Sequence, residues 1–464
     1  MPKQMTNKNP KAFLEIARSA GTYRPVFERL GDFSEVERPL SESELRRQAE
    51  RCMDCGIPFC HGLGCPLGNL IPDINAAVFR GDWKSAWEIL SKTSPFPELT
   101  SLVCPALCEG SCTAGLDGGA VTVRQIERGV SERAFRENRV LPLTPKAGER
   151  GKIAVIGSGP AGLAAAWELN RLGHRVTVYE REKNIGGLLR YGIPNFKLEK
   201  RLIDRRGELA EKSGITFVRS TSVGDDISAQ YLLTKHDALI LAVGTPTARD
   251  LSIPGREVNG VHFALEFLAG QNRLLTGETN SLPINARDKR VLVIGGGDTG
   301  SDCVGTALRQ GAVSVEQIEI MPKPASERGR FDPWPEWPQT LRTSSSHEEG
   351  GMRRWGLETV RFLEKNGAVC GVELAPVVWR FAENGRPLGF ERIGKKTETL
   401  EADLVLLALG FLKSDRHALL ERFRLPDTPA VFIAGDAASG PSLVVRAIAD
   451  ALRVAQAVLR FLVK

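Results

Sequence analysis

The sequence has few of the features that would place a protein on a membrane or on nucleic acid. Its longest apolar runs, such as residues 404–409, are strand-sized. A bilayer-spanning helix needs roughly 18 apolar residues or more. The start, MPKQMTNKNPKAFLEIARS, lacks the apolar core of a signal peptide, so the chain is expected to stay in the cytoplasm. Neither sign of charge dominates: 62 Lys and Arg against 56 Asp and Glu leave +6, spread along the chain. That balance is too small and too diffuse for a nucleic-acid surface. Cysteine is nearly absent outside one stretch, with seven of nine between Cys52 and Cys112 and only Cys303 and Cys370 elsewhere.

What is present fits several domains. A chain of 464 residues exceeds what one hydrophobic core usually supports, and 42% hydrophobic with 25% charged residues is ordinary globular composition. Residues 1 to about 145 carry helical periodicity and the cysteines. The stretch 141–148, with two prolines and a glycine, reads as a linker. Two copies of one pattern follow it: an apolar strand, a glycine turn and a helix. They start at Lys152 (KIAVIGSGPAGLAAAWELNRLGHRVTVYE) and at Arg290 (RVLVIGGGDTGSDCVGTALRQGAVSVEQIEIM). The repeat indicates two nucleotide-binding α/β domains.

In the first copy Gly157 permits a tight turn, Gly159 lets backbone approach a pyrophosphate, and Gly162 lets helix and strand pack closely. Glu180 follows the next strand, 23 residues after Gly157, where a carboxylate can accept hydrogen bonds from ribose hydroxyls. The second copy, with Gly295, Gly297, Asp298, Thr299 and Gly300, is expected to bind a nicotinamide dinucleotide. Its following strand is read as residues 317–321, with no acid at the position corresponding to Glu180. Lys323, Arg328 and Arg330 come soon after, which favours a 2′-phosphate, and hence NADPH, over a bare ribose. Glu319 lies close enough to keep NADH open, and a solvated basic loop is the bland alternative.

The cysteines form two runs, Cys52-Met-Asp-Cys55-Gly-Ile-Pro-Phe-Cys60-His-Gly-Leu-Gly-Cys65-Pro and Cys104-Pro-Ala-Leu-Cys108-Glu-Gly-Ser-Cys112. In a reducing compartment, clustered thiols point to metal rather than disulfides. A CxxC followed by further cysteines and a closing Cys-Pro follows ferredoxin-like spacing. Tetrahedral zinc is the competing reading, but seven cysteines divide poorly into two all-Cys zinc sites. Cys303 and Cys370 are solitary and read as small buried apolar residues. No reactive CxxC pair therefore accompanies the glycine turns, which disfavours thioredoxin-reductase chemistry.

Several motifs carry resemblances. The acid followed by Gly186-Gly187, and the distant Ile-Ala-Gly435-Asp436, are similar to two-dinucleotide flavin reductases, whose FAD domain is interrupted by an NAD(P)H domain. That resemblance implies FAD at Gly157, Gly159, Gly162, Glu180, Gly187, Gly435 and Asp436. Asp436 alone also reads as a helix N-cap. It also implies crossings between the domains at residues 242–245 and 408–411. The cysteine runs, with Phe96-Pro-Glu-Leu-Thr between them, resemble the N-terminal domain of glutamate synthase small subunits, which dihydropyrimidine dehydrogenases share. The likeness runs from about Phe33 to the C-terminus, including Ile193-Pro-Asn-Phe-Lys-Leu198 and the loop 333–350.

The resemblance implies two interleaved [4Fe–4S] clusters. One would be held by Cys52, Cys55, Cys60 and Cys112. The other would be held by Cys65, Cys104 and Cys108, with Glu127 as eighth ligand; a solvated helix glutamate is the alternative there. The sequence departs from the family pattern twice. Gly64 lengthens the Cys60–Cys65 interval by one residue, and residues 435–440 lack the family's arginines, with Arg446 in place of a Trp. The implied layout is a helical iron–sulfur domain over 1–145, an FAD domain over 146–253 and 409–464, and an inserted NADPH domain over 254–408. The implied activity is electron input from NADPH to the FMN of a glutamate synthase large subunit, which forms L-glutamate from 2-oxoglutarate and glutamine-derived ammonia. This chain itself is expected to lack an FMN domain and the N-terminal Cys nucleophile of such glutaminases, since Pro2 follows Met1. Alternatives are a stand-alone NADPH:ferredoxin-type oxidoreductase, the electron-input subunit of a pyrimidine dehydrogenase, or a scaffold that has lost turnover.

Overall fold

The computed structural model describes residues 8–144, 150–245 and 247–463. Of the expected linker, residues 145–148 and the domain boundary near them lie outside the described residues. The N-terminal region is helical. Its helix Glu42–Glu50 begins at Ser41, whose hydroxyl accepts from Glu44 N while Glu44 Oε2 accepts from Ser41 N at 2.8 Å. This reciprocal cap satisfies two N–H groups that a helix start leaves unpaired. Helices Ile71–Phe79, Trp83–Leu90 and Val123–Arg136 bury Ile71, Ile74, Val78, Leu90, Ile126 and Val130 in one core. A two-residue antiparallel pairing, Thr22–Tyr23 with Glu37–Arg38, is the one strand pair described before residue 150. Arg51 is fully buried, and its guanidinium donates to the carbonyls of Ile16, Ala120 and Gly119 at 2.8, 2.8 and 2.7 Å. It thereby ties the N-terminal segment to the chain after Cys112.

Two five-stranded parallel sheets follow. The first runs in the order Val431–Ile433, Ala238–Leu241, Arg150–Ile156, His174–Tyr179, Thr216–Val218. The second runs Met352–Trp355, Ser314–Glu319, Arg290–Ile294, Leu404–Leu407, Val261–Phe263. Every residue of Ala238–Leu241 and of Leu404–Leu407 is buried, as expected of central strands covered on both faces. Residues 261–407 lie in sequence between strands of the first sheet, so the second domain is inserted in the first. At the junction the chain's two crossings pair: Arg249 N donates to Gly410 O and Leu412 N to Thr247 O, both at 2.9 Å. The sequence reading missed a four-stranded antiparallel sheet. It is built from Leu357–Lys365, Ala368–Phe381, Pro387–Arg392 and Glu398–Glu401.

Buried charges join the three regions. Glu98, from the Phe96-Pro-Glu motif, accepts from Arg206 Nε at 2.6 Å, and Arg206 lies over the rings of Phe96 and Trp167. Glu349 pairs with Arg309 of the second glycine-turn helix and with Arg29 of the N-terminal region. No described helix is long and apolar enough to cross a membrane.

Candidate functional site

The two cysteine runs fold against each other, so each contributes to both ends. Cys52, Cys55, Cys60 and Cys112 line one small cavity that is partly open to solvent. Burial pushes the Cys60 thiol up to about 12, with Cys112 and Cys52 adding to the effect. Cys112 is raised by burial as well, against the pull of the Val121, Ala114 and Gly115 N–H groups. Cys65, Cys104, Cys108 and Glu127 form the second group. Burial raises all three thiols, Cys65 to about 11, and the nearby Glu127 carboxylate raises each further. Glu127 is itself buried and pushed up to about 7, chiefly by desolvation, while Asn69 Nδ2 donates to its Oε1 at 2.8 Å. Ala106 N donates to Cys104 Sγ at 3.4 Å. Thiolates crowded in low dielectric repel each other and require a cation or cluster to stay ionised.

The extra residue before Cys65 has a local structural counterpart. Cys60–Gly64 forms a π-turn, and Cys65 N donates to Cys60 O at 2.9 Å, five residues back. A π-turn takes up one more residue than an α-turn. Gly64 lies flat on the second run, where a Cβ would stand 2.7 Å from Cys108 Cα. The loop 333–338 covers the same face. Trp334 packs edge-on to Phe59 with centroids 4.7 Å apart, and Ser111 Oγ donates to Pro335 O at 2.8 Å.

At the carboxyl edge of the first sheet, Gly157 turns at φ +98°, with space for a Cβ blocked by Ala242 O at 2.6 Å. Gly159 caps the helix Pro160–Arg171, and Gly162, one turn in, packs on Gly157 O. Gly187 closes over Gly159, where its Cβ would lie 2.8 Å from Gly159 Cα. Gly435 abuts Ala161 of the same helix. Gly435, not Asp436, is the N-cap of the short helix Asp436–Ser439; Asp436 accepts from Ser442 Oγ at 2.7 Å, and burial raises its carboxyl. Glu180 Oε2 accepts from Ser158 N at 3.0 Å, and its Oε1 from Glu182 N at 2.9 Å.

The second glycine turn repeats this arrangement and corrects one expectation. Gly297 caps the helix Asp298–Arg309, whose first residues are Asp298, Thr299 and Gly300. Glu319 ends its strand, its Oε2 accepts from Gly296 N at 2.6 Å, and its Oε1 accepts from Met321 N at 3.1 Å. Those are the bonds that Glu180 makes, so an acid does occupy the corresponding position. The strand is Ser314–Glu319 rather than 317–321, and the interval from Gly295 is one residue longer than from Gly157 (24 against 23). That extra residue hid the equivalence.

The basic residues also fall differently from expectation. Arg328 donates to the carbonyls of Gly110, Asp332 and Glu336, the first at 2.6 Å, so its guanidinium braces the loop on the second cysteine run. Arg330 reaches Glu383 O and stacks on Phe331. Both guanidinium groups thus have partners within the protein. Lys323 stays beside Trp355, 5.3 Å from its ring, and Trp355 pairs with Glu319 across the sheet. Cys303 is fully buried as expected, whereas Cys370 is half-buried and donates to Leu363 O at 3.5 Å. The sequence reading also missed Lys197 and Asp302, an ion pair of a partly buried lysine and a buried aspartate between the 193–198 motif and the second glycine-turn helix.

Residues 29–139 match the family described as dihydropyrimidine dehydrogenase domain II, 4Fe-4S cluster, and residues 151–333 match the pyridine nucleotide-disulphide oxidoreductases. Fold and site thus define a two-dinucleotide oxidoreductase with an N-terminal iron–sulfur domain. The "Glutamate synthase [NADPH] small chain" of Mycobacterium tuberculosis is 46% identical over 98% of this chain and 96% of its own length. That of Bacillus subtilis is 41% identical over 98% of each. The chain belongs to the glutamate synthase small-chain family. The "Glutamate synthase [NADH]" of Saccharomyces cerevisiae is 38% identical over 97% of this chain, which spans 22% of that longer protein. Among solved structures, Mycobacterium tuberculosis FprA in complex with NADPH aligns with a TM-score of 0.53 at 18% identity, over 67% of this chain and 84% of that one; this is a likeness of fold.

Proposed function

We propose that this chain is the electron-input subunit of a glutamate synthase, taking electrons from NADPH at FAD and passing them through two [4Fe–4S] clusters to FMN on a large subunit. When bound, the flavin accepts a hydride from the nicotinamide, and the clusters carry single electrons onward. The observation that carries this reading is the interleaving of the cysteine runs in a chain with two dinucleotide folds. Cys52, Cys55, Cys60 and Cys112 would hold one cluster; Cys65, Cys104, Cys108 and Glu127 would hold the other. Cys52, Cys55, Cys60 and Cys112 line a cavity, and among the described residues no three His, Cys, Asp or Glu side chains converge on a single ion. A tetrahedral zinc, with bonds of about 2.3 Å, requires sulfurs about 3.8 Å apart. The donor set suits a polynuclear cluster better.

Gly157, Gly159, Gly162 and Gly187 would let backbone N–H groups reach the FAD pyrophosphate, with Glu180 on its ribose and Gly435 and Asp436 at the ribityl chain. Gly295, Gly297, Asp298, Thr299 and Gly300 would hold the nicotinamide dinucleotide in the same way. Glu319 would face its ribose hydroxyls, and Lys323 would supply a cation for a 2′-phosphate. In this reading glutamate forms on the large subunit, which would carry the FMN.

The test is reconstitution. The purified chain should oxidise NADPH with ferricyanide and form no glutamate from 2-oxoglutarate with glutamine or ammonia; adding a glutamate synthase large subunit should create that activity. Glutamate made by the isolated chain would overturn the subunit assignment. A ferredoxin or pyrimidine-reducing partner recovered with the native chain would favour the alternative acceptors.

A further inference from the structure

Asn75 lies on the helix Ile71–Phe79 and is 1% exposed, yet neither its Nδ2 nor its Oδ1 has a hydrogen-bond partner. It lines the cavity that Cys52, Cys55, Cys60 and Cys112 surround. A buried amide without partners is destabilising, because its desolvation is uncompensated. Ile71, Pro72, Val121 and Val123 share its cavity wall with Thr113 and the four cysteines, and none of them bonds its side chain.

The second group of ligand candidates makes an instructive contrast. There Asn69 Nδ2 donates to Glu127 Oε1, and its Oδ1 accepts from Thr93 Oγ1, both at 2.8 Å. That asparagine is satisfied by protein. Asn75 instead lines the cavity with both polar atoms unpartnered.

We propose that Asn75 tunes the redox centre of this cavity, its Nδ2–H donating to a sulfur of the bound cluster. A hydrogen bond to cluster sulfur withdraws charge and stabilises the reduced form, so it raises the reduction potential. The same bond satisfies a group for which the protein supplies no partner. Asn75 is a positioning and tuning residue, since it acts through sulfur and not on the electron donor. The inference rests on the ligand set proposed above.

Two substitutions in the full chain test it, each read by EPR-monitored redox titration and iron analysis. Asn75→Leu removes both polar atoms without adding charge; Asn75→Asp keeps the shape and exchanges the amide for a carboxyl, whose charge lowers the potential further. Both should shift one cluster to lower potential and leave the second cluster's midpoint where it was. Fe–S stretching frequencies in resonance Raman should move for that cluster. After iron is stripped, Asn75→Leu should melt at a higher temperature than the stripped wild type, because two orphaned groups are gone; a merely structural asparagine would give a lower melting temperature. Unchanged midpoints in an iron-loaded Asn75→Leu chain would overturn the inference while leaving the ligand set intact. A wild-type chain that takes up no iron would overturn the ligand set, and the role of Asn75 with it.

Discussion

Gly64 and Gly62 lie in the same π-turn, and replacing each by alanine asks whether the turn is held against the second cysteine run. At Gly64 a Cβ would stand 2.7 Å from Cys108 Cα and 3.1 Å from both Leu107 O and Ser111 Oγ. The first lies 0.7 Å inside the 3.4 Å of ordinary contact (3.4 minus 2.7), and two of the three atoms are backbone, which cannot swing aside. At Gly62 nothing lies within 4 Å. Neither glycine has a left-handed φ, so backbone conformation does not separate them. Overpacking of this kind costs about 1–3 kcal/mol, whereas glycine to alanine in open helical structure gains roughly 0.5–1 kcal/mol. Gly64→Ala should therefore melt several degrees below Gly62→Ala. The strain prises Cys65 away from Cys108, so the site of Cys65, Cys104, Cys108 and Glu127 should lose its iron first. Iron and acid-labile sulfide per chain should fall toward half in Gly64→Ala and stay at the wild-type value in Gly62→Ala. Equal melting temperatures and equal iron in the two variants would refute the reasoning.

Glu319→Gln removes a carboxylate from the expected ribose position. It should raise the ratio of NADPH to NADH kcat/KM about tenfold, the equivalent of one charge-assisted hydrogen bond; an unchanged ratio in ferricyanide assays would mean that Glu319 only braces Gly296. Arg328→Gln should lower thermal stability by about 1–3 kcal/mol through lost bonds to carbonyls and change KM for both nicotinamides alike; a selective effect on NADPH would restore it to the phosphate site. Cys104→Ser should spare NADPH-dependent ferricyanide reduction and abolish glutamate formation in the reconstituted complex, and the converse loss would place the clusters off the electron route. Burial, then Arg353 and Lys197, push the His347 imidazole down from 6.5 to about 4. The folded chain thus binds fewer protons than the unfolded one between those values, so stability should fall as pH drops through this window, and His347→Gln should flatten that part of the profile in thermal melts.

The parts of this structure that were legible in the sequence are those written by neighbours in the chain. The glycine turns announce themselves because strand, turn and helix are consecutive, and 157–162 and 295–300 each open a helix as read. The cysteine runs are likewise local, and the family resemblance supplied their grouping across 39 residues or more (Cys65 to Cys104 spans 39). Glu319 was misread for a physical reason. Displacing the strand by two or three residues moves this acid from the strand end, where it meets Gly296 N, to mid-strand, where it has no ligand to meet. The sheet over 357–401 was invisible to a reading led by glycine turns, because its strands pair antiparallel and carry no nucleotide signature.

Partners of buried charges were the least legible feature, and they decide how the regions fit. Glu98 with Arg206, Glu349 with Arg309 and Arg29, and Lys197 with Asp302 each link segments far apart in sequence. Nothing in the local pattern distinguishes Glu98 from a solvated helix glutamate. Buried ion pairs contribute little net stability, since desolvation offsets attraction, but leaving one partner alone is strongly unfavourable. Their energetic meaning is therefore exclusion: an arrangement that separated the cysteine-bearing domain from the first sheet would strand Arg206 or Glu98 without a countercharge. The same logic applies at the junction of the two dinucleotide folds, where Lys197 and Asp302 hold the 193–198 segment to the second glycine-turn helix. Electron transfer between separately bound groups needs fixed separations, and mismatched charges penalise every other packing of these surfaces more effectively than apolar contact, which tolerates sliding.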